Sequence, residues 1–183
     1  MKIDLKKAFS VLSPRLVVLV TTMNKAKAIN AAPISFVCPI SFDPPIIMLS
    51  IRPVRHTYQN IIETKEFVIN VLSKKYAEQI LRCAAPYPPG INKLDIVGLH
   101  WYSSERIRVP RVKEGVLWLE CKFLEEKKMG DHVIIFAEVV CAEAKDDVIS
   151  EGEIDFEKVN PLLHIQKNKF AVDFKVVKYK RYD

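Results

Sequence analysis

Two arginines, Arg52 and Arg55, stand just upstream of Thr57 in the run Arg-Pro-Val-Arg-His-Thr-Tyr-Gln-Asn-Ile-Ile-Glu, where a helix is set to begin. Threonine is a favoured N-cap. A helix start leaves N–H groups unpaired and carries partial positive charge, and guanidinium groups match phosphate oxygens in pairs. Together these residues can seat a phosphate, although by composition alone the plainer reading is a pair of exposed arginines beside an ordinary capped helix. Upstream, Asn30, Ala31, Ala32, Pro33, Ile34 and Ser35 place small side chains where a flat ring can approach the main chain, with Asn30 and Ser35 adding polar contacts. Small residues in a strand also mark close packing, so this signal is weak by itself. Ser50 and Ile51 lead into Arg52 and bring another hydroxyl towards the same place.

Other chemistry-bearing residues are more isolated. His132 follows Gly130 and Asp131 at the start of a strand, where an imidazole can titrate near neutral pH or touch an anionic substrate; a structural histidine beside a turn is the commoner case. Lys93 ends a proline-rich loop and can fold over a ligand, or simply face solvent. His56, His100 and His164 share no ligand spacing, and the four cysteines (38, 83, 121 and 141) contain no CxxC pair, so no metal site is expected. The five glycines come no closer than Gly90 and Gly98, which excludes both the GxGxxG dinucleotide loop and the GxxxxGK[ST] phosphate loop. No nucleophile–base system stands out.

The elements that must position these residues are mostly strands. Residues 15–23 and 45–51 are short, β-branched and bounded by turn residues, and residues 28–37, 67–72 and 170–179 are further candidates. Residues 116–124 and 132–141 alternate: Leu117, Leu119, Cys121 and Phe123 share one face, as do Val133, Ile135, Ala137, Val139 and Cys141. Met129-Gly130-Asp131 joins them as a hairpin, the glycine being free to take positive φ. Short helices are expected near 4–12, 57–64 and 75–82, with a further turn at 93–97, and residues 83–93 are too rich in proline for regular structure. Strands that do not alternate regularly with helices disfavour a doubly wound α/β fold and favour an antiparallel barrel, closed or nearly so, with flanking helices.

Composition agrees with one domain over residues 1–183: 49% hydrophobic and 27% charged residues, long enough to bury a core. No apolar run approaches the roughly 18–20 residues of a membrane span, and charges occupy the N-terminal position a signal peptide would keep apolar, so a cytoplasmic protein is expected. The net charge of +6 admits nucleic acid as a partner. Yet the lysines are scattered and partly matched by glutamates, and no aromatic residues interleave with the basic tail as a nucleic-acid platform would require.

Taken in order, residues 30–35, residues 43–51 (Asp-Pro-Pro-Ile-Ile-Met-Leu-Ser-Ile), the Thr57…Asn60-Ile61 helix start, residues 67–72, Leu119-Glu120-Cys121 and Gly130-Asp131-His132 resemble the flavin reductase-like family, most of all its FMN-binding proteins and flavoredoxins. The resemblance covers about residues 8–172. It implies a mainly β, antiparallel split barrel of the FMN-binding type, usually a homodimer. It also implies FMN contacts from Asn30, Ala31, Ala32, Pro33 and Ser35, from Ser50, Ile51 and Arg52, and from Arg55 and Thr57 around the phosphate. Asn92 and Lys93 match the family's flavin-side loop, and His132 matches the donor-side position. Two departures bear on the subfamily: residues 24–27 lack the glycine often found there, and Ala137 stands where many members carry glycine. The implied function is an FMN-dependent oxidoreductase that passes electrons from NADH, NADPH or another donor to free flavin, ferric iron or a partner redox protein. The alternatives are a non-enzymatic FMN-binding electron carrier and, further off, a basic β-barrel that binds nucleic acid.

Overall fold

The structure is a computed structural model that describes residues 2–180. Its frame is a seven-stranded antiparallel sheet formed by β1 (Val18–Met23), β2 (Ile29–Ile34), β3 (Val37–Phe42), β4 (Pro45–Ile51), β5 (Glu66–Val71), β6 (Leu117–Met129) and β7 (His132–Ala144). The strands lie in the order β2-β1-β5-β6-β7-β4-β3. The helices are α1 (His56–Thr64), α2 (Ala77–Arg82), α3 (Lys93–Val97) and α4 (Phe156–Val159), with a 3₁₀ helix over Leu5–Leu12. Among the described residues, no helix is long and apolar enough to cross a membrane.

Strand alternation builds two cores from the same sheet. Val18 and Val20 of β1 join Leu49, Phe67, Ile69, Cys121 and Ile135 on one side. Leu19 of β1 and Ala31 of β2 turn the other way and pack with Ile80 of α2 and with Leu94 and Val97 of α3. Because β1 is buried on both faces, its apolar run is nearly continuous. Asn70 is the polar tie through this layer: its amide donates to the Leu19 carbonyl (2.8 Å) and its oxygen accepts from the Val112 N–H (2.8 Å).

The β6–β7 hairpin is the clearest agreement with the sequence. His132 pairs with Met129 across a Gly130-Asp131 turn, and Gly130 has φ +62°. Each strand runs thirteen residues, beyond the expected 124 and 141. The extra length in β6 is the charged stretch Glu125-Glu126-Lys127-Lys128, which is exposed and held by the main-chain ladder rather than by packing. A register shift between Val139 and Cys141 takes Cys141 off the expected apolar face and sets its Sγ 3.2 Å from Arg111.

Three other expectations are corrected. Residues 28–37 are not one strand: β2 ends at Ile34 and β3 begins at Val37. β3 was hidden because it is an exposed edge containing Pro39, which an edge strand tolerates since no neighbour needs its missing N–H. The tail is strand only over Lys169–Ala171, and residues 172–180 are irregular. Asp173 takes φ +55°, and its carboxylate is bound by Lys74 and Asn160, which turns the chain away from the ladder. The N-terminal helix is of the 3₁₀ type, leaving Leu5, Phe9, Val11 and Leu12 exposed.

Candidate functional site

β4 and β7 run antiparallel with Ile51 opposite Val133, and the chain leaves β4 through Arg52 to Arg55, whose N–H donates to the Arg52 carbonyl at 3.1 Å. α1 starts at once. Arg55 is its N-cap, with extended backbone (φ −86°, ψ 139°) and no side-chain cap, so the expected Thr57 cap is not formed. Thr57 lies instead within the first turn, buried, where its hydroxyl accepts a hydrogen bond from the Asn30 amide at 3.0 Å. The first N–H groups of α1 therefore receive no cap from the side chain of their N-cap residue.

This corner opens into a cavity of about 480 Å³. β2 and the residues after it give Asn30, Ala32, Pro33, Ser35 and Phe36; the end of β4 gives Ser50, Ile51 and Arg52. Arg55 and Thr57 come from the start of α1, and His132 from the hairpin. The loop after α2 closes the remaining side with Cys83, Tyr87 and Pro89, and Lys93 opens α3 there. Thus eleven of the residues singled out in the sequence meet in one place, counting Asn30, Ala32, Pro33, Ser35, Ser50, Ile51, Arg52, Arg55, Thr57, Lys93 and His132. Two do not. The Ala31 side chain points into the second core, because alternation along β2 turns it away from its neighbours. Asn92 is the N-cap of α3, its side-chain oxygen accepting from the Leu94 N–H at 3.1 Å.

Two features of the cavity are energetically incomplete. Asn30 is only 6% exposed, and its amide nitrogen donates to Thr57 and to Thr22 (3.3 Å), yet its buried side-chain oxygen has no hydrogen-bond partner among the described residues. A buried acceptor left unpaired costs about 1–3 kcal/mol. The second feature is charge. Arg52, Arg55 and Lys93 line the cavity, while among the described residues no aspartate or glutamate does. The Lys93 ammonium is buried and donates to the Cys83 carbonyl at 3.1 Å, with no carboxylate partner among the described residues. Burial holds Lys93 below its ordinary pKa; the Cys83 sulfur works against this and the Arg55 guanidinium adds to it. Burial likewise pushes the Cys83 thiol up to about 11, against the pull of Lys93 and Arg82, so the thiol is neutral and inert.

At the hairpin end, His132 Nδ1 lies 2.7 Å from an Asp131 carboxylate oxygen. That contact, chiefly, holds Asp131 below the usual carboxylate range, with Arg52 contributing. The His132 ring sits 5.9 Å from Phe36, which in turn meets Phe9 edge-on at 6.2 Å under the Arg15 guanidinium. Sequence reasoning missed Phe36 and Tyr87 as cavity walls. Phe36 falls in the gap between β2 and β3, and Tyr87 sits in an irregular loop between Pro86 and Pro88, where neither has a periodic signature.

The residues fit a phosphorylated, hydroxyl-bearing ligand: cations without carboxylates for the phosphate, an unpaired buried acceptor for a hydroxyl or N–H, and small side chains beside exposed main chain. A family model described as "Flavin reductase like domain" matches residues 11–173. An uncharacterized protein of Halalkalibacterium halodurans is 31% identical over 169 residues, covering 86% of this chain and 81% of that protein. Among solved structures, nitrilotriacetate monooxygenase component B from Bacillus cereus superposes with a TM-score of 0.87 at 25% identity, covering 97% and 95% of the two chains. Flavoredoxin of Desulfovibrio vulgaris (Miyazaki F) gives a TM-score of 0.87 at 21% identity, covering 98% and 97%. The antiparallel arrangement described above is a split-barrel fold of the flavin reductase type.

Proposed function

Because this chain belongs to the flavin reductase-like family, we propose that it is an FMN-binding oxidoreductase that passes electrons from a reduced nicotinamide to an acceptor such as free flavin, ferric iron or a partner protein. The observation that carries this reading is the buried, unpaired oxygen of Asn30 in a cavity whose fixed charges are all positive. When bound, FMN supplies the redox chemistry through its ring, and the protein binds, orients and shields it. Arg55, Lys93 and the uncapped start of α1 hold the phosphate. Asn30 accepts a hydrogen bond from the ligand, relieving the unpaired acceptor. The main chain beside Ala32, Pro33 and Ser35 borders the ring, with the Ser50 hydroxyl opposite. No protein acid or base is strictly needed, and His132 assists donor binding rather than performing chemistry.

Two features support a cytoplasmic homodimer. Phe42 on edge strand β3 is 97% exposed, beside exposed Ile40, an apolar edge that a second copy would cover. All four cysteines are free, in keeping with a reducing compartment. Light scattering at micromolar concentration checks the dimer.

The test of function is anaerobic mixing of the flavin-loaded protein with NADH or NADPH. Bleaching of the flavin absorbance by either nucleotide is expected. Flavin that stays bound and oxidised would instead make the protein an electron carrier without a nicotinamide site.

A further inference from the structure

The short ladder that precedes β1 sets Arg15 directly opposite His164. Arg15 is anchored by the carbonyls of Phe9 and Leu12 and by the Ser13 hydroxyl, each at 3.2 Å. Its guanidinium lies 5.4 Å from the centre of the Phe36 ring, the aromatic wall of the cavity. His164 is fixed from the other side. It pairs with Phe170 across the next hairpin, the two rings 5.4 Å apart, and its Nε2 lies 3.0 Å from the Lys167 carbonyl in the turn. Two groups converge on His164 Nδ1: Arg15 Nη2 at 3.3 Å and the Ser35 hydroxyl at 3.4 Å. Ser35 follows β2 and lines the cavity, whereas Arg15 and His164 do not.

These contacts leave one arrangement of hydrogens. A carbonyl only accepts, so His164 Nε2 carries the ring hydrogen. A guanidinium only donates, so Nδ1 carries none and offers its lone pair. The Ser35 hydroxyl can then join only by donating its own proton to Nδ1. Its oxygen is left with lone pairs alone to turn to the cavity. Asn30 presents the same sign on the same wall, since its buried side-chain oxygen is an acceptor without a donor among the described residues. Both polar side chains that β2 and its continuation bring to the cavity therefore meet a ligand as acceptors.

Resting on the function proposed above, we infer that His164 is a positioning residue: it takes the Ser35 proton, fixes Ser35 as an acceptor towards the flavin ring, and so favours the reduced cofactor over the oxidised one. When the nicotinamide gives up its hydride and leaves oxidised, the ring gains that electron pair and hydrogen. A ring nitrogen that could only accept then becomes an N–H donor. The Ser35 oxygen bonds to the N–H, but it meets the bare nitrogen with lone pair against lone pair. That difference raises the reduction potential of the bound flavin. Arg15 acts one contact further back, as the donor that keeps Nδ1 free of hydrogen.

In the flavin-free protein, ¹⁵N NMR of the histidine side chains reads the His164 tautomer. The Nε2–H form is expected, and a hydrogen on Nδ1 overturns the inference. In the FMN-loaded protein, the reduction potential is measured against a reference dye for wild type, Ser35→Ala, His164→Leu, His164→Asn and the Ser35→Ala/His164→Leu double variant. Affinity for oxidised FMN is measured by quenching of flavin fluorescence. Losing one neutral hydrogen bond predicts that reduced flavin is held about fivefold less tightly relative to oxidised flavin. For a two-electron couple that ratio is a fall of about 20 mV. Ser35→Ala and His164→Leu should each show it, and the double variant should fall no further than Ser35→Ala, because His164 acts through Ser35. His164→Asn should recover part of the loss, its carbonyl standing in for Nδ1. Affinity for oxidised FMN should fall by less than about threefold in His164→Leu; a merely structural histidine would weaken both redox forms alike and leave the potential unmoved. A potential unmoved by His164→Leu, or a fall that persists in the Ser35→Ala background, overturns the inference and leaves the proposed function standing. Wild-type protein that binds no flavin overturns the function itself and the inference with it.

Discussion

Two polar regions on the same sheet meet opposite fates. On the far side of β6, Arg111 and Glu120 are 1% and 0% exposed, and every charge there is matched within the protein. The Arg111 Nε donates to Glu120 at 2.7 Å, and its other nitrogens reach Glu143 and the Cys141 sulfur. Glu120 also accepts the main-chain N–H groups of Glu105 (2.8 Å) and Arg106 (2.7 Å), while Tyr102 and Trp118 flank the guanidinium. Burial alone raises the Glu120 pKa, yet these hydrogen bonds and Arg111 hold it below its ordinary value. The cavity is the reverse case: among the described residues no carboxylate lines it beside its cations, and the Asn30 oxygen lacks a donor. A closed network stabilises the fold it sits in; an open one holds its unmet interactions in reserve for a ligand.

Breaking the closed network should have the largest effect. Glu120→Gln leaves the Arg111 charge buried without its partner and should cost about 3–5 kcal/mol in urea unfolding. The same substitution should flatten the acid limb of stability. A carboxylate whose folded-state pKa is depressed contributes fully above its ordinary value of 4.5 and loses that contribution as pH falls through the lower folded value. Wild type should therefore destabilise on acidification below about pH 4.5 more steeply than Glu120→Gln, as read by thermal melts across pH.

The open network should behave in the opposite sense. Arg55→Ala should weaken FMN binding by about ten- to a hundredfold, the worth of a charge-assisted pair, while stability without ligand changes by less than about 0.5 kcal/mol. Asn30→Ala removes both the unpaired oxygen and two donated bonds, so ligand-free stability should shift by no more than about 1 kcal/mol, with FMN affinity falling about tenfold. If Asn30→Ala destabilised the ligand-free protein as strongly as Glu120→Gln does, the contrast between the regions would fail. The smallest effect is expected at the hairpin that presents His132. Gly130→Ala meets no neighbour within 4 Å but must hold φ +62°, at a cost of about 1 kcal/mol in denaturant unfolding.

The contrast also explains what could be read from the sequence. The β6–β7 hairpin was legible because alternation and a positive-φ glycine encode it locally. The cavity was largely legible because its residues cluster in three short runs, at 30–35, 50–57 and 130–132. Thr57 was misread as a cap because N-cap preference is a local rule, and here burial against Asn30 decides the hydroxyl's partner instead. Arg111 and Glu120 could not be read as a pair. Each looks like a solvated charge, and only the structure shows that β6 is a central strand, paired with β5 and β7 along its two edges, with Glu120 buried on it. The one available hint was a carboxylate flanked by Leu119 and Cys121 and preceded by Trp118. β3 and the tail failed for a related reason: edge pairing and the Asp173 contacts are tertiary facts with little local signature.

Binding of FMN in the cavity between β2, β4, α1 and Lys93 is tested by a single titration. Flavin-free protein is added to FMN while the flavin fluorescence is followed, with wild type and Arg55→Ala run side by side. Saturable quenching is expected with wild type, and a binding curve displaced to higher protein concentration with Arg55→Ala. Absence of quenching with folded wild-type protein, or identical curves for the two proteins, would contradict it.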